Sequence, residues 1–167
     1  MSGYDEVLKA IMAGDISTLE EVALMLDGFP TGKDDFLHER WLRHAVACGS
    51  VEVVAWMITH GAPVAFYCAD GYTVLHVVIE RNHPDKHAMM RLLIAAGADI
   101  NAHGVNDWTP AHMAAAWNDV ETLRLLHEAG ADFSIRTRID ACATPLEEAV
   151  ILGRSPEAVA YLQSITV

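Results

Sequence analysis

The 167-residue chain is short of the features that would point directly to several classes of function. It has only 11 basic residues against 23 acidic ones, a formal net charge of −12 with its nine histidines neutral. A polyanion of this kind repels nucleic-acid phosphates and anionic lipid, which excludes binding driven by counterion release. A partner steered by charge must itself be basic. Uninterrupted apolar runs last only a few residues, well short of the ~20 that cross a bilayer, so a membrane span is excluded. The opening Met1-Ser2-Gly3-Tyr4-Asp5-Glu6 has acids where a secretory signal has a basic region and an apolar run, and no export is implied. Cys48, Cys68 and Cys142 are odd in number, far apart and mostly set in apolar sequence, which fits buried thiols in a reducing compartment and a cytoplasmic location. Aromatics make up 7% of a chain that is 52% hydrophobic, so the core is drawn mainly from Ala, Val, Leu, Ile and Met. That composition folds, and a disordered acidic tail is excluded.

Catalytic signatures are missing as well. There is no Gly-x-Ser-x-Gly elbow, dinucleotide fingerprint or phosphate-binding loop. None of the cysteines has a base beside it in sequence, and the carboxylates fall at turns, caps and surface positions. His83 and His87 have the i, i+4 spacing of two ligands on a helix face, but Pro84 between them favours solvated loop histidines. No catalytic, cofactor or metal residue is assigned, and the expectation is a protein that is not an enzyme.

What the chain does have is internal repetition. Gly61-Ala62-Pro63, Gly97-Ala98-Asp99 and Gly130-Ala131-Asp132 each end an apolar helical stretch. Thr73-Val74-Leu75-His76, Thr109-Pro110-Ala111-His112 and Thr144-Pro145-Leu146-Glu147 recur at the same phase. Thr109 and Thr144 are candidate N-caps, with Pro110 and Pro145 at the first helical position, where a missing N–H does no harm. Glu147 is placed to complete a capping box with Thr144. The spacing predicts helices from Pro110 to Trp117, rich in alanine, and from Val120 to Ala129, with Gly130 supplying the positive φ that stops the second.

On these words the sequence resembles the ankyrin repeat family, whose unit of ~33 residues is a β-turn followed by two antiparallel helices. The resemblance implies an all-α solenoid of about five helix-turn-helix units in one domain. Approximate divisions are 1–34, 35–67, 68–103, 104–138 and 139–167: three clear central repeats between divergent N- and C-terminal caps. Repeat two keeps the spacing but lacks the Thr-Pro opening. Repeat three holds Asn82 to His87 between its helices, about three residues longer than repeat two at the same place, and this is read as a protruding loop. Residues 27–36 read as an elaborated finger. His76 and His112 occupy the repeat's own histidine position, where the family's imidazole ties adjacent turns together.

The resemblance also implies a concave groove of fingers and first helices that binds a protein partner. The residues at those positions are Phe36, Leu37, Glu39, Asp70, Tyr72, Glu80, Arg81, Val105, Asn106, Trp108 and Trp117, an aromatic and acidic surface. Trp41 and Trp56, flanked by apolar residues, belong to the core. The leading expectation is a monomeric, non-enzymatic interaction module acting as an inhibitor or immunity-type partner of a basic protein. A scaffold joining two proteins is the second reading, and an enzyme or small-ligand protein using His83, Asp85 and His87 the third. Residues 1–39 hold nine of the acids and two of the basic residues, a local net charge of −7, so a basic partner approaches that end.

Overall fold

The computed structural model describes residues 3–81, 83–139, 141–153 and 156–166, so Asn82, within the expected loop, lies outside the described residues. Five helix pairs follow one another: α1 (Gly3–Ala13) and α2 (Ile16–Met25), α3 (Trp41–Cys48) and α4 (Val51–Thr59), α5 (Val74–Glu80) and α6 (Lys86–Ala95), α7 (Pro110–Ala116) and α8 (Val120–Glu128), α9 (Pro145–Leu152) and α10 (Pro156–Ile165). First helices pack on first helices along the chain, α1 on α3, α3 on α5, α5 on α7 and α7 on α9. Second helices form a parallel row through α4, α6, α8 and α10. Among the described residues no strand occurs beyond an isolated bridge between Lys33 and Arg40, as an all-α solenoid requires.

Side-chain size explains why the stack closes. Ala111, Ala114, Ala115 and Ala116 are buried on α7, and small residues there let α5 and α9 approach closely. Larger aliphatic and methionine side chains fill the space between helix rows, among them Leu75, Met89, Met90, Leu93, Leu123 and Leu126, all essentially inaccessible. Three second helices, α4, α6 and α8, end alike: Gly130 takes φ +86, and Ala131 N–H reaches back to Leu126 O at 2.9 Å. Ala98 and Ala62 make the same bond to Leu93 and Met57. Glycine stops each of these three by entering the left-handed region that a Cβ disfavours.

Capping is more regular than the sequence suggested. Thr144 and Glu147 form the expected box, but so do Thr73 with His76 and Thr109 with His112, the imidazole standing in for the carboxylate. His76 Nδ1 accepts from Thr73 N–H at 3.4 Å, with the Thr73 hydroxyl 2.8 Å away, and Nε2 reaches Trp108 O at 2.9 Å. His112 repeats the pattern on Ala143 O, also at 2.9 Å. A carbonyl can only accept, so Nε2 carries the hydrogen and the ring is neutral. Burial pushes both imidazoles down, His76 to about 4.

Some expectations need correction. Cys68 is buried, but Cys48 and Cys142 are exposed, because they sit at a helix end and a finger tip rather than on packed faces. His87 lies in the first turn of α6, since that helix begins at Lys86, just past Pro84; His83 is exposed, as a loop residue would be. Trp41 is core, 3% accessible, and Trp56 is half-buried against it.

Candidate interaction surface

Four finger turns present the same geometry ahead of α3, α5, α7 and α9. Cys68 N–H bonds Tyr72 O at 2.8 Å, Gly104 N–H bonds Trp108 O at 2.7 Å, Thr137 N–H bonds Ala143 O at 3.0 Å and Asp34 N–H bonds Glu39 O at 2.8 Å. At one register position in each turn the backbone goes left-handed: His38, Gly71, Asp107 and Cys142. The residues just before this position form the tips, and those just after it tuck inward.

The first finger is the most elaborate. Asp34 is 1% accessible and accepts from the amides of Phe36 (2.8 Å), Leu37 and Glu39 (3.0 Å) and from His44 Nε2 (2.9 Å). Burial works to raise its carboxyl, but the bonds from His44 and the three amides outweigh it and hold it below the usual carboxylate range. A buried charge is tolerable only with this many donors. The turn held in this way projects Phe36, 71% exposed, and Leu37, 51% exposed. The ring of Phe36 lies 5.3 Å from that of Tyr4, which in turn contacts Trp41 at 5.8 Å.

The remaining groove candidates divide by exposure. Trp117, the C-cap of α7, is 46% exposed, and Asp70, Glu80 and Asn106 are exposed. Val105 is half-buried in a single 3-10 turn, Val105–Asp107. Tyr72 and Trp108 are half-buried against the core, Tyr72 stacked on His76 with ring centroids 5.7 Å apart. Burial pushes the Tyr72 phenol up, and nearby Glu80 adds to it. Two candidates face inward, contrary to expectation. Glu39 is 8% accessible because Ala69 N–H binds its carboxylate at 2.7 Å. Arg81 is withdrawn because Nη1 donates to Val46 O at 2.8 Å and Nη2 to Asp85 at 3.2 Å. The exposed part is therefore aliphatic and aromatic at Phe36, Leu37 and Trp117, and acidic at Asp70 and Glu80.

Sequence reasoning missed Asp34 and Arg43. Arg43 stands third after the N-cap of α3, where α5 and α7 carry His76 and His112, and it reaches the next finger through Asp70 at 2.9 Å. The signal was the shared phase of Arg43, His76, His112 and Glu147. The Asp70 carboxyl is resisted by burial yet held low by Arg43 and by Tyr72 N–H.

Beside the third unit, a cleft of about 310 Å³ is lined by Met12, Cys48, Ser50, Arg81, His83 and Asp85. Most of its polar groups are engaged: Cys48 Sγ donates to His44 O at 3.1 Å, Ser50 caps α4 through Val53 N–H, and His83 bonds Asp85 at 2.6 Å, whereas Arg81 Nε is buried without a partner among the described residues. Burial pushes the Cys48 thiol up, away from the thiolate that nucleophilic chemistry uses. Among the described residues no group of three or more His, Cys, Asp or Glu side chains is placed to hold a metal.

The model of ankyrin repeats in three copies matches residues 42–137 and 85–166. The chain belongs to the ankyrin repeat family. It is 33% identical over 130 residues to an ankyrin repeat-containing protein of Treponema pallidum (strain Nichols), covering 77% of this chain and 42% of that one. It is 31% identical over 87 residues to the mouse protein phosphatase 1 regulatory subunit 12A, 52% of this chain and 8% of that one. It is 32% identical over 108 residues to the mouse RelA-associated inhibitor, 64% and 12% of the two chains. The chain thus spans less than half the length of each of these relatives. The ankyrin stack is a protein–protein interaction module, and no helix of its described residues is long and apolar enough to cross a membrane.

Proposed function

We propose that this ankyrin stack binds a basic protein through its fingers and the ends of its first helices, and acts on that partner as an inhibitor. The observation that carries the reading is the exposure of Phe36, Leu37 and Trp117 on that side while the other tryptophans are buried or half-buried. Exposed aromatic anchors are frequent hot spots of binding energy. Asp70 and Glu80 are exposed acids on the second finger and the end of α5, and the local net charge of −7 in residues 1–39 steers a basic surface toward the first finger. A relative named as an inhibitor and another named as a regulatory subunit support a regulatory role.

The test begins with affinity capture of the partner from native lysate, followed by binding of the purified partner. Replacing Phe36 and Leu37 with Ser and Trp117 with Ala should abolish capture while the helical signal is retained. The association rate should fall steeply with salt. Undiminished binding by the triple variant would overturn the site, and a salt-insensitive rate would overturn the basic partner. Loss of the partner's activity on binding separates an inhibitor from a scaffold.

A further inference from the structure

Among the described residues the first helix pair packs on one other pair, through α1 on α3, and its opposite side carries apolar side chains rather than the polar outer face of a capping repeat. A groove of about 250 Å³ runs between α1 and α2, with Val7, Val22, Met25 and Leu26 along it and Glu6 and Glu21 at its rim. Met25 is 82% exposed and the adjacent Leu24 is 88% exposed, higher values than for the other large apolar side chains described. Val22 and Met25 fall at i and i+3 on α2, with Leu26 following as its C-cap, an apolar edge of the kind that receives the stripe of a second helix. Methionine adapts its shape to such a ridge.

Charge says what kind of helix. No Lys or Arg occurs on α2, and α1 has only Lys9, whereas Asp5, Glu6, Glu20 and Glu21 lie on these two helices. Further along the stack several cations are paired: Arg43 with Asp70, Arg81 with Asp85, Lys86 with Asp119, Arg136 with Glu147 and Arg138 with Asp107. Four carboxylates against one lysine leave α1 and α2 with a net charge of −3. Two copies of this face would bring like charges together, which disfavours self-pairing through it.

We propose that the groove between α1 and α2 docks a basic amphipathic helix of a protein partner, at a surface separate from the fingers. The apolar row buries the stripe of the incoming helix, while its lysines or arginines meet Glu6 and Glu21.

The probe is a synthetic Leu/Lys amphipathic helix of about five turns, titrated into the full chain by fluorescence anisotropy with amide shifts followed by NMR. Saturable binding with shifts confined to α1 and α2 is expected. A scrambled peptide of the same composition and the Val22→Ser, Met25→Ser variant should each weaken binding by at least about tenfold. The Phe36→Ser, Leu37→Ser, Trp117→Ala variant should bind the probe as tightly as the parent chain, so failure here is distinguishable from failure of the finger site. Shifts on the fingers, equal binding of the scrambled peptide, or indifference to Met25→Ser would each overturn the proposal. A dimer joined through α1 and α2 in light scattering would also overturn it, by assigning the groove to a second copy.

Discussion

The third and fourth units are fastened to their neighbours differently from the second. His76 and His112 span the joints as neutral imidazoles, each donating to a carbonyl of the following finger. In the second unit, Arg43 takes the same position and crosses to Asp70, and buried Asp34 holds His44 and its own finger. At this helix position the central joints are buried hydrogen bonds between uncharged groups, with the ion pairs Lys86–Asp119 and Arg138–Asp107 crossing elsewhere. The N-terminal ones rely on ion pairs and a buried carboxylate, whose desolvation offsets much of their attraction. The most exposed apolar side chains and the surplus acids occupy the same N-terminal end. In a linear array each unit leans only on its neighbours, so the two kinds of joint can be broken separately.

The largest break in this contrast should come from Asp34→Ala. It strips acceptors from three amides and leaves His44 unpartnered, at an expected cost of about 3–5 kcal/mol. Hydrogen exchange should show α1 to α3 opening while α7 and α9 stay protected. Equal loss of protection in α7 would mean that the two ends are not independent.

Much of the fold was legible because the repeat words carry their own physics. Thr109-Pro110 starts a helix, Gly130 ends one, and the phase between such words gives the stack. The site was less legible, because a finger residue's exposure depends on what the next unit places beneath it. Glu39 turns inward to an amide 30 residues away, and Arg81 to a carbonyl 35 residues back. Phe36 and Leu37 are exposed because Asp34 gathers their amides, which spacing cannot reveal.

Acid should separate the two kinds of joint in order. The unfolded chain protonates its histidines from about pH 6.5, but folded His76 resists to about 4 because it is buried. Its contribution is fully present above pH 6.5 and fades as pH falls to 4, a loss of up to roughly 3 kcal/mol. Asp34 is held below its ordinary 3.8 against the pull of burial by His44 and three amides, so its contribution is present above that value and is lost only as pH falls below it. Urea unfolding from pH 7.5 to 4.5 should therefore weaken α5 and α7 before the first finger. His76→Gln should flatten that slope, and an unchanged slope would show that other groups set it.

Gly104→Ala should sharpen the contrast from the central side. A Cβ at Gly104 would lie 2.8 Å from His76 Cε1 and 2.9 Å from Nε2, so the ring has to move and strain its bond to Trp108 O. A loss of about 1–3 kcal/mol is expected in chemical denaturation, as for other overpacked cores. It should be smaller in the His76→Ala background, where the ring is gone. Equal losses in the two backgrounds would place the strain in the backbone instead.

The smallest effect compares two finger turns at one register position. His38 takes φ +56 and Gly71 takes φ +83. An L residue in this region costs about 1–2 kcal/mol, and glycine's greater freedom in the unfolded chain returns about 0.5–1 kcal/mol of that. His38→Gly should therefore stabilise the first finger by about 0.5 kcal/mol. Gly71→Ala should destabilise by more than that gain, since its new Cβ also meets Val105 at 3.4 Å. Differential scanning calorimetry on the two variants checks the signs. Stabilisation by Gly71→Ala would show that the central finger relaxes, leaving the N-terminal one as the more rigid of the pair.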